Sequence, residues 1–342
     1  MDSALRVGVV GVGHLGKSHA RVYSELLDAQ LVGVADACEE RGHFVAEGLG
    51  VPCFSGPNPV EALIDGVQPD ALSIVVPTSM HYGVASVALL RGVHVLVEKP
   101  VTTTLAEAKE LLRIADARGL VLQVGHVERF NSAVRYVSGN VRDPIFLESH
   151  RVGPFTPRVA DVGVVLDLMI HDIDIFLSLV PSPISRIAAA GRCVLSEHED
   201  VACAQITFEN GTMGQILVSR VAERKMRQLD IMECGRHITV NYETQDVEIR
   251  CRRGDNREIL ERPVFPKCEP LKLELAHFVN CVRMGRQPLV GIRDGVRALE
   301  VAIEVLRQIG ESSPRSEGSK LPEGIKGEQA PLPPNENRGF TP

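Results

Sequence analysis

Residues 6–16 read RVGVVGVGHLG, an apolar run that ends in three glycines with the spacing GxGxxG. The run predicts a buried strand, and the segment 14–27 after it predicts a helix. In such a turn the glycines allow the tight bend, the approach of a pyrophosphate to the backbone and close contact between helix and strand, and the helix amides bind the diphosphate. The spacing alone is also common in purely structural turns. With its context, it predicts that the dinucleotide-binding residues are Gly11, Gly13, His14, Leu15 and Gly16.

An acidic residue follows the next apolar run. Residues 31–36 read LVGVAD, and Asp36 stands 20 positions after Gly16, where a carboxylate can accept hydrogen bonds from an adenosine ribose. A loop or helix-cap role would also suit an aspartate. Ala37 and Cys38 come next instead of a cation, so a 2′-phosphate would meet an uncompensated negative charge. The sequence therefore favours NAD over NADP as the cofactor.

Apolar runs and amphipathic segments continue to alternate as far as residue 125. Further strands are predicted at residues 71–76, 94–100 and 120–125, and helices at 39–49, 82–91 and 104–118. Uniformly apolar strands of this kind are buried on both faces of a parallel sheet. Residues 1–125 are thus predicted to form an α/β domain, a doubly wound parallel sheet of the Rossmann type.

The pattern changes beyond residue 140. Seven strand-like runs follow between residues 144 and 251, and Asn210-Gly211 between two of them is a strong hairpin signal. Helical segments are predicted at residues 162–179, 271–284 and 294–309. We expect residues 126–310 to form a C-terminal α+β domain with an open, mainly antiparallel sheet, which binds substrate and mediates oligomerisation. Residues 311–342, rich in Pro, Ser, Gly and Glu, are expected to be a disordered tail.

The composition excludes several classes of function. A net charge of −7 and the absence of Trp argue against binding to nucleic acid or to an anionic membrane. The eight cysteines include no CxxC pair, which indicates reduced thiols. The uncharged run 72–90 is interrupted by Pro77 and Gly83, so a strand, loop and helix are expected instead of a membrane span. We expect a cytoplasmic protein.

Two groups of polar residues stand in apolar surroundings. Glu98-Lys99-Pro100 ends a predicted strand, at the edge where open α/β sheets bind ligands. Asp167, His171 and Asp174 are spaced i, i+4 and i+7, which places them on one face of the predicted helix. A carboxylate one turn from an imidazole fixes its tautomer, and this suits a general base acting on an alcohol.

Other interpretations of these residues remain open. Glu98 and Lys99 would also be found as a solvated pair before a turn. His171 would also be at home in the core, with Asp172 and Asp174 on the surface. Asp167, His171 and Asp174 could ligate a metal, but no second ligand cluster accompanies them and we predict no metal site.

At these positions the chain resembles the glucose–fructose oxidoreductase, inositol dehydrogenase and rhizopine-catabolism family, over residues 5–309. The resemblance implies that Lys99 and His171 flank the reacting carbinol, with Asp167 orienting the histidine. It implies that Glu98 and Pro77-Thr78 line the nicotinamide and its ribose. The other matching residues, which we expect to contact cofactor or substrate, are His81, Arg129, Asn131 and Asp174. Thr78 departs from the usual asparagine, and residues 161–163 (DVG) lack the usual glycine run.

One branch of the family is especially similar around residues 125–131 (GHVERFN) and 161–174 (DVGVVLDLMIHDID). This branch, the bacterial UDP-N-acetylglucosamine 3-dehydrogenases, oxidises a sugar C3 hydroxyl to a ketone that is then aminated for a lipid A precursor. A nucleotide sugar is accordingly the expected substrate. Arg151 and Arg158 flank the loop before the predicted catalytic helix and would pair with its diphosphate, although both also fit ordinary surface charge.

Three other functions remain alternatives: a dehydrogenase of free polyols or glucose, an NAD-dependent glycosidase that oxidises C3 transiently, and a non-catalytic NAD-binding regulator. Retention of Lys99, Asp167 and His171 together argues against the regulator. The open sheet predicts a homodimer or homotetramer, because an uncovered sheet face is often buried between subunits.

Overall fold

A computed structural model of the chain describes residues 4–156, 162–252 and 258–312. The first sheet has six parallel strands in the order β3-β2-β1-β4-β5-β6. Its strands are β1 (Leu5–Val10), β2 (Ala29–Ala35), β3 (Cys53–Phe54), β4 (Ala71–Ile74), β5 (His94–Glu98) and β6 (Leu122–Gly125). The helices between them are α1 (Gly16–Glu25), α2 (Glu39–Leu49), α3 (Pro59–Val67), α4 (Thr78–Leu90) and α5 (Leu105–Arg118). The predicted Rossmann sheet is confirmed.

Two elements of this domain are missing from the sequence prediction. Strand β3 has only two residues, too few to show any periodicity. Helix α3 begins at a proline after Asn58 and packs Val60, Leu63 and Ile64 into the core. Helix α4 also starts four residues before the predicted position, so Thr78 lies in its first turn. The extra helix and strand complete the crossover from β2 to β4.

The second sheet has eight strands in the order β14-β13-β12-β11-β7-β10-β9-β8. They are β7 (Phe146–Val152), β8 (Ile184–Arg192), β9 (Val201–Phe208), β10 (Met213–Ser219), β11 (Met226–Glu233), β12 (Arg236–Asn241), β13 (Asp246–Arg252) and β14 (Glu258–Glu261). Only β7 and β10 pair in parallel, and the other pairs are antiparallel. The mainly antiparallel sheet is confirmed, and β14 adds a strand to the seven expected.

The predicted helix 162–179 is not uniform. Val165–Met169 form a π-helical turn, and a regular helix, α7 (Ile170–Leu179), continues from it. Helix α7 and the preceding α6 (Ser132–Asn140) cover one face of the second sheet, with Phe176 and Val137 fully buried. A π-helical turn is wider than an α-helical one, so it changes which residues share a face. The i, i+4, i+7 argument for Asp167 therefore does not hold in its simple form.

The last two helices connect the two sheets. Helix α8 (Pro270–Met284) packs Leu275 and Phe278 into the core beneath β1 and β2. Helix α9 (Ile292–Ser312) places Leu299 in the other core of the first domain and Val305 in the core of the second. A boundary at residue 125 thus separates the two sheets, but the C-terminal helices stabilise both.

The glycine turn after β1 offers a direct test of the packing. A Cβ on Gly16 would lie 1.8 Å from the carbonyl oxygen of Gly11, which itself has a φ of +83°. Because backbone atoms cannot move aside, Gly16→Ala is expected to destabilise the protein by about 1–3 kcal/mol or more. A Cβ on Gly13 has no neighbour within 4 Å, so Gly13→Ala is the matched control. Thermal unfolding should separate the two variants, and equal midpoints would contradict this account of the turn.

Candidate active site

A lysine from the first domain meets an aspartate from the second. Lys99 follows β5, and its ammonium donates to the backbone oxygen of Asp167 at 2.7 Å and to its Oδ1 at 3.1 Å. Both side chains are partly exposed, at 15% for Lys99 and 29% for Asp167, so the pair faces a cleft. The structure thus joins the end of a parallel strand to the start of the predicted catalytic helix.

The expected pairing of Asp167 with His171 is not formed. The π-helical turn directs the Asp167 carboxylate to Lys99, and Nδ1 of His171 is buried without a hydrogen-bond partner. Asp167 is therefore positioned to hold the lysine, which corrects its expected role as the group that orients the imidazole. His171 itself is half-buried in the first turn of α7.

Burial holds the pKa of His171 well below its ordinary value, and the positive charges of Lys99 and Arg151 lower it further. A low pKa keeps the imidazole neutral at neutral pH, and a neutral imidazole can accept a proton. His171 is therefore able to accept a proton in the free protein, but its low pKa makes it a weaker base than an ordinary histidine.

A second histidine lies beside the first. The ring of His126 meets that of His171 edge-on, with centroids 6.5 Å apart. Burial, with help from Lys99 and Arg129, lowers the pKa of His126 to about 3. Sequence reasoning missed this residue, although its position directly after β6, at the carboxyl edge of the parallel sheet, is a signal that could have identified it.

Removing the Lys99 charge should raise the pKa of His171, because a neighbouring cation disfavours protonation of the ring. We expect Lys99→Met to move the NMR titration midpoint of His171 upward. Lys109→Met, on the exposed face of α5, removes an equal charge and serves as the control. A titration midpoint that Lys99→Met leaves unchanged would show that the two groups are not electrostatically coupled.

Arg151 is a buried structural residue. Its Nε donates to Asp172 at 2.8 Å and its Nη1 donates to Glu128 at 2.9 Å, and the guanidinium lies over the ring of Tyr242. Ser149 donates a further hydrogen bond to Asp172 at 2.7 Å. The guanidinium is committed to two buried carboxylates, so the expected contact of Arg151 with a substrate diphosphate does not fit. Asp172 is fully buried, which also rules out its surface interpretation.

Arg151→Met should therefore affect stability. It would leave Asp172 and Glu128 buried without their cation, which typically costs about 3–5 kcal/mol. Thermal or urea unfolding would measure the loss. Arg113→Met removes an exposed arginine paired with Glu110 on α5, and its unfolding should match the wild type. A normal unfolding midpoint for Arg151→Met, with only a raised KM for a nucleotide sugar, would restore its expected role as a ligand.

The other residues expected to bind substrate are also engaged within the protein. Asn131 caps α6 by accepting from the amide of Ala133 at 3.1 Å and donates to the Tyr242 carbonyl at 2.9 Å, and its expected contact with substrate stays a prediction. Nη1 of Arg129 lies 3.6 Å from Oδ1 of Asp174. Burial raises the pKa of Asp174 to about 7 despite this arginine. Arg158 lies outside the described residues.

A cavity of about 640 Å³ opens beside Lys99 between the two domains. Its volume and its place at the strand ends suit a nicotinamide ring and its ribose, and the unobstructed Gly13 leaves the backbone open to a pyrophosphate. The residues present thus fit a dinucleotide. Among the predicted cofactor residues, those that line the cavity are Leu15, Pro77, Thr78, His81 and Glu98.

Two of these residues, His81 and Glu98, also make polar contacts within the protein. His81 is buried, with its ring nitrogens 2.8 Å from the carbonyl oxygen of Pro100 and 2.9 Å from that of Val76. Both ring nitrogens therefore face carbonyl oxygens of the protein, and the expected contact of His81 with the cofactor stays a prediction. Glu98 turns towards His19, whose Nε2 is 3.2 Å from Oε1 of the carboxylate. Burial opposes ionisation of Glu98, but His19 keeps its pKa below the ordinary value.

At the far end of the cofactor site, Asp36 has a partner that the sequence argument overlooked. Arg41, in the first turns of α2, donates to both carboxylate oxygens of Asp36, and the amides of Val12 and Cys38 donate as well. Burial opposes ionisation, but these donors hold the pKa of Asp36 below its ordinary value. The assumption that no cation accompanies Asp36 is wrong, so charge at this position is not evidence for NAD.

Residues of the second domain complete the cavity. His198 and Glu199, between β8 and β9, are among the residues that line it. Glu199 accepts from the amide of Val165 at 3.1 Å, and a Cβ on Gly163 would lie 2.0 Å from Oε1 of this glutamate. A connecting loop gives no periodic signal, so sequence reasoning missed both residues. A side chain at position 163 would therefore displace the Glu199 carboxylate from this hydrogen bond.

In the part of the chain that the structure describes, no group of three or more His, Cys, Asp or Glu side chains is arranged to hold a metal ion. No helix in the described ranges is both long and apolar enough to cross a bilayer.

Comparisons with known proteins define the class. Residues 5–126 match a family described as an oxidoreductase family with an NAD-binding Rossmann fold. Residues 124–254 match the GFO/IDH/MocA C-terminal domain. The protein is thus an NAD-dependent oxidoreductase, and the chain belongs to the GFO/IDH/MocA family, as its motifs indicate.

Individual relatives are similar over nearly their full length. UDP-N-acetylglucosamine 3-dehydrogenase of Acidithiobacillus ferrooxidans is 36% identical over 88% of this chain and 96% of its own, and its structure superposes with a TM-score of 0.84 over 91% and 99% of the two chains. The scyllo-inositol 2-dehydrogenase (NAD(+)) of Bacillus subtilis is 31% identical over 89% and 93%. A Lactobacillus casei scyllo-inositol dehydrogenase, solved with NAD(H) and scyllo-inositol, shares the fold at 20% identity, with a TM-score of 0.75 over 90% and 98%.

Proposed function

We propose that this protein oxidises a secondary hydroxyl of a sugar to a ketone, and that the substrate is UDP-N-acetylglucosamine, oxidised at C3. The observation that carries the proposal is the pair of hydrogen bonds from Lys99, which lines the cofactor cavity, to Asp167, four residues before His171. The charge of Lys99 also lowers the pKa of His171. The similarity to UDP-N-acetylglucosamine 3-dehydrogenase supports this substrate. The ketone product suits an aminotransferase, in line with the lipid A precursor route that the resemblance implies.

In this mechanism His171 takes the proton of the substrate hydroxyl while the C3–H bond breaks. NAD, when bound, supplies the two-electron acceptor for the hydride. Charge develops on the substrate oxygen as its proton leaves, and the Lys99 ammonium stabilises it. His171 becomes positively charged, and the substrate that covers it must offset the unfavourable burial of this charge.

Asp167 serves this mechanism as a positioning residue. Its backbone oxygen and its carboxylate both accept from Lys99, so the ammonium keeps one N–H for the substrate oxygen. An anchored cation loses less conformational freedom when the substrate arrives, because its side chain is already ordered. The aspartate thereby controls where the positive charge lies, and the imidazole acts without a carboxylate partner.

Steady-state assays that follow NADH absorbance test this function. The full-length protein with NAD should turn over UDP-N-acetylglucosamine, and His171→Ala should lower kcat by about 10²–10⁴-fold, the usual contribution of a general base. NAD binding to this variant, followed by titration calorimetry, should stay at the wild-type level. His237→Ala, on strand β12 of the second sheet, is the control and should retain full activity.

The alternatives give different results in the same assays. Turnover of free inositol or glucose without turnover of the UDP sugar would make the protein a polyol dehydrogenase. Release of a free sugar without net NADH would indicate a glycosidase. Wild-type turnover in His171→Ala would exclude this residue as the base, and NAD binding without any turnover would indicate a regulator.

A further inference from the structure

Asp167, whose partner Lys99 lines the cofactor cavity, itself lines a second, smaller cavity. This second cavity has a volume of about 280 Å³ and is formed by strands β7, β10 and β11 and the loop after β7. Its walls are basic, although the chain as a whole has a net charge of −7. The four cations that line it are Arg151, Arg220, Lys225 and Arg227.

The partners of these cations differ. Arg151 is neutralised by Asp172 and Glu128, and Arg220 donates to Asp200 at 2.6 Å. Lys225 is exposed and pairs with Glu243 at the rim. Within residues 4–156, 162–252 and 258–312, no carboxylate lies within ion-pair distance of the half-buried Arg227. One strong donor group therefore faces the cavity without an acidic partner.

The sheet register places Arg227 directly opposite Arg151. The two residues are paired on the antiparallel strands β11 and β7, so two guanidinium groups share one side of the sheet. Like charges at opposed positions destabilise a strand pair. The carboxylates around Arg151 offset its own charge, which leaves Arg227 as the group that an anion would stabilise. Arginine suits a phosphate in particular, because its planar fork donates two parallel hydrogen bonds.

The location of the cavity fits one part of a nucleotide sugar. Asp167 lines it, and the same residue holds the lysine that faces the reacting hydroxyl. In a UDP sugar the diphosphate is attached at C1, two ring carbons from C3. A substrate with its C3 hydroxyl at Lys99 would therefore extend its diphosphate past Asp167 towards the basic cavity. A free polyol has no anionic group that would use these cations.

We propose that Arg227, assisted by Lys225, binds the diphosphate of the nucleotide-sugar substrate. This inference rests on the proposed function and deepens it. It assigns to the β11 strand the role that the sequence argument gave to Arg151. Arg227 and Lys225 bind the non-reacting part of the substrate, so they determine its affinity more than the rate of the chemical step.

The test uses the full-length protein saturated with NAD, with UDP alone as the binding probe in titration calorimetry. Arg227→Gln should weaken UDP binding by about 10–100-fold, the usual effect of losing a hydrogen bond to a charged group. The KM for UDP-N-acetylglucosamine should rise in parallel and by a larger factor than kcat changes, while the affinity for NAD stays close to wild type. Arg227→Lys should restore part of the affinity because it keeps the charge.

Two further variants distinguish a loss of UDP binding from a loss of the folded structure. Lys225→Gln changes an exposed residue and should weaken UDP binding by a smaller factor without altering thermal unfolding. Arg250→Gln, on the exposed strand β13 of the same sheet, removes an equal charge away from the cavity and should leave UDP binding unchanged. Added salt should weaken UDP binding to the wild type more than to Arg227→Gln.

The possible failures can be told apart. A wild-type protein that oxidises UDP-N-acetylglucosamine, together with Arg227→Gln and Lys225→Gln variants that bind UDP normally, would overturn this inference and leave the proposed function intact. A wild-type protein that neither binds UDP nor oxidises the UDP sugar would overturn both. The other two variants replace Arg227→Gln if it does not fold. UDP binding by Lys225→Gln at the wild-type level, together with UDP binding by Arg227→Lys at the wild-type level in high salt, would then contradict the inference.

Discussion

The contact between the Lys99 ammonium and Asp167 is the interaction on which the site depends. It joins the carboxyl edge of the parallel sheet to the π-helical turn of the second domain, and it fixes a positive charge that lowers the pKa of both His171 and His126. Each of these groups would be unremarkable in its own domain. Brought together at a cleft, they would provide, in the proposed mechanism, a base for the hydroxyl proton and a cation for the charge left on the oxygen.

Much of the polar chemistry near this contact is structural. Arg151 with its two carboxylates, Asn131 at the start of α6, and Arg129 near Asp174 are buried pairs that keep the second domain's helices and sheet in register. Buried charges are costly unless paired, so their pairing restricts the conformations available to the backbone around His171. The supporting groups surround the reactive ones, and in sequence the two kinds look alike.

Because structural and reactive polar residues look alike in sequence, only part of the fold and of the site could be predicted. Periodicity identified both sheets, and the glycine turn was recognisable from spacing and order. The roles expected of Lys99 and His171 came from the family resemblance and stay predictions. Spacing on an ideal helix gave the wrong partner for Asp167, because a π-helical turn carries no mark in the sequence. The pairing of Asp36 with Arg41, and the approach of His198 and Glu199 from a loop, depend on tertiary contacts that no local pattern encodes.

Helix α9 limits how the two halves of the chain can be exchanged between related proteins. Its first turns complete the core of the nucleotide-binding half and its last turns complete that of the other half, while α8 lies beneath the strands at the very start of the chain. A chimera spliced at residue 125 would combine the first sheet of one parent with helices α8 and α9 of the other parent. Exchange of substrate specificity between relatives should therefore succeed through strands and loops, with both terminal helices kept from the donor of the first domain.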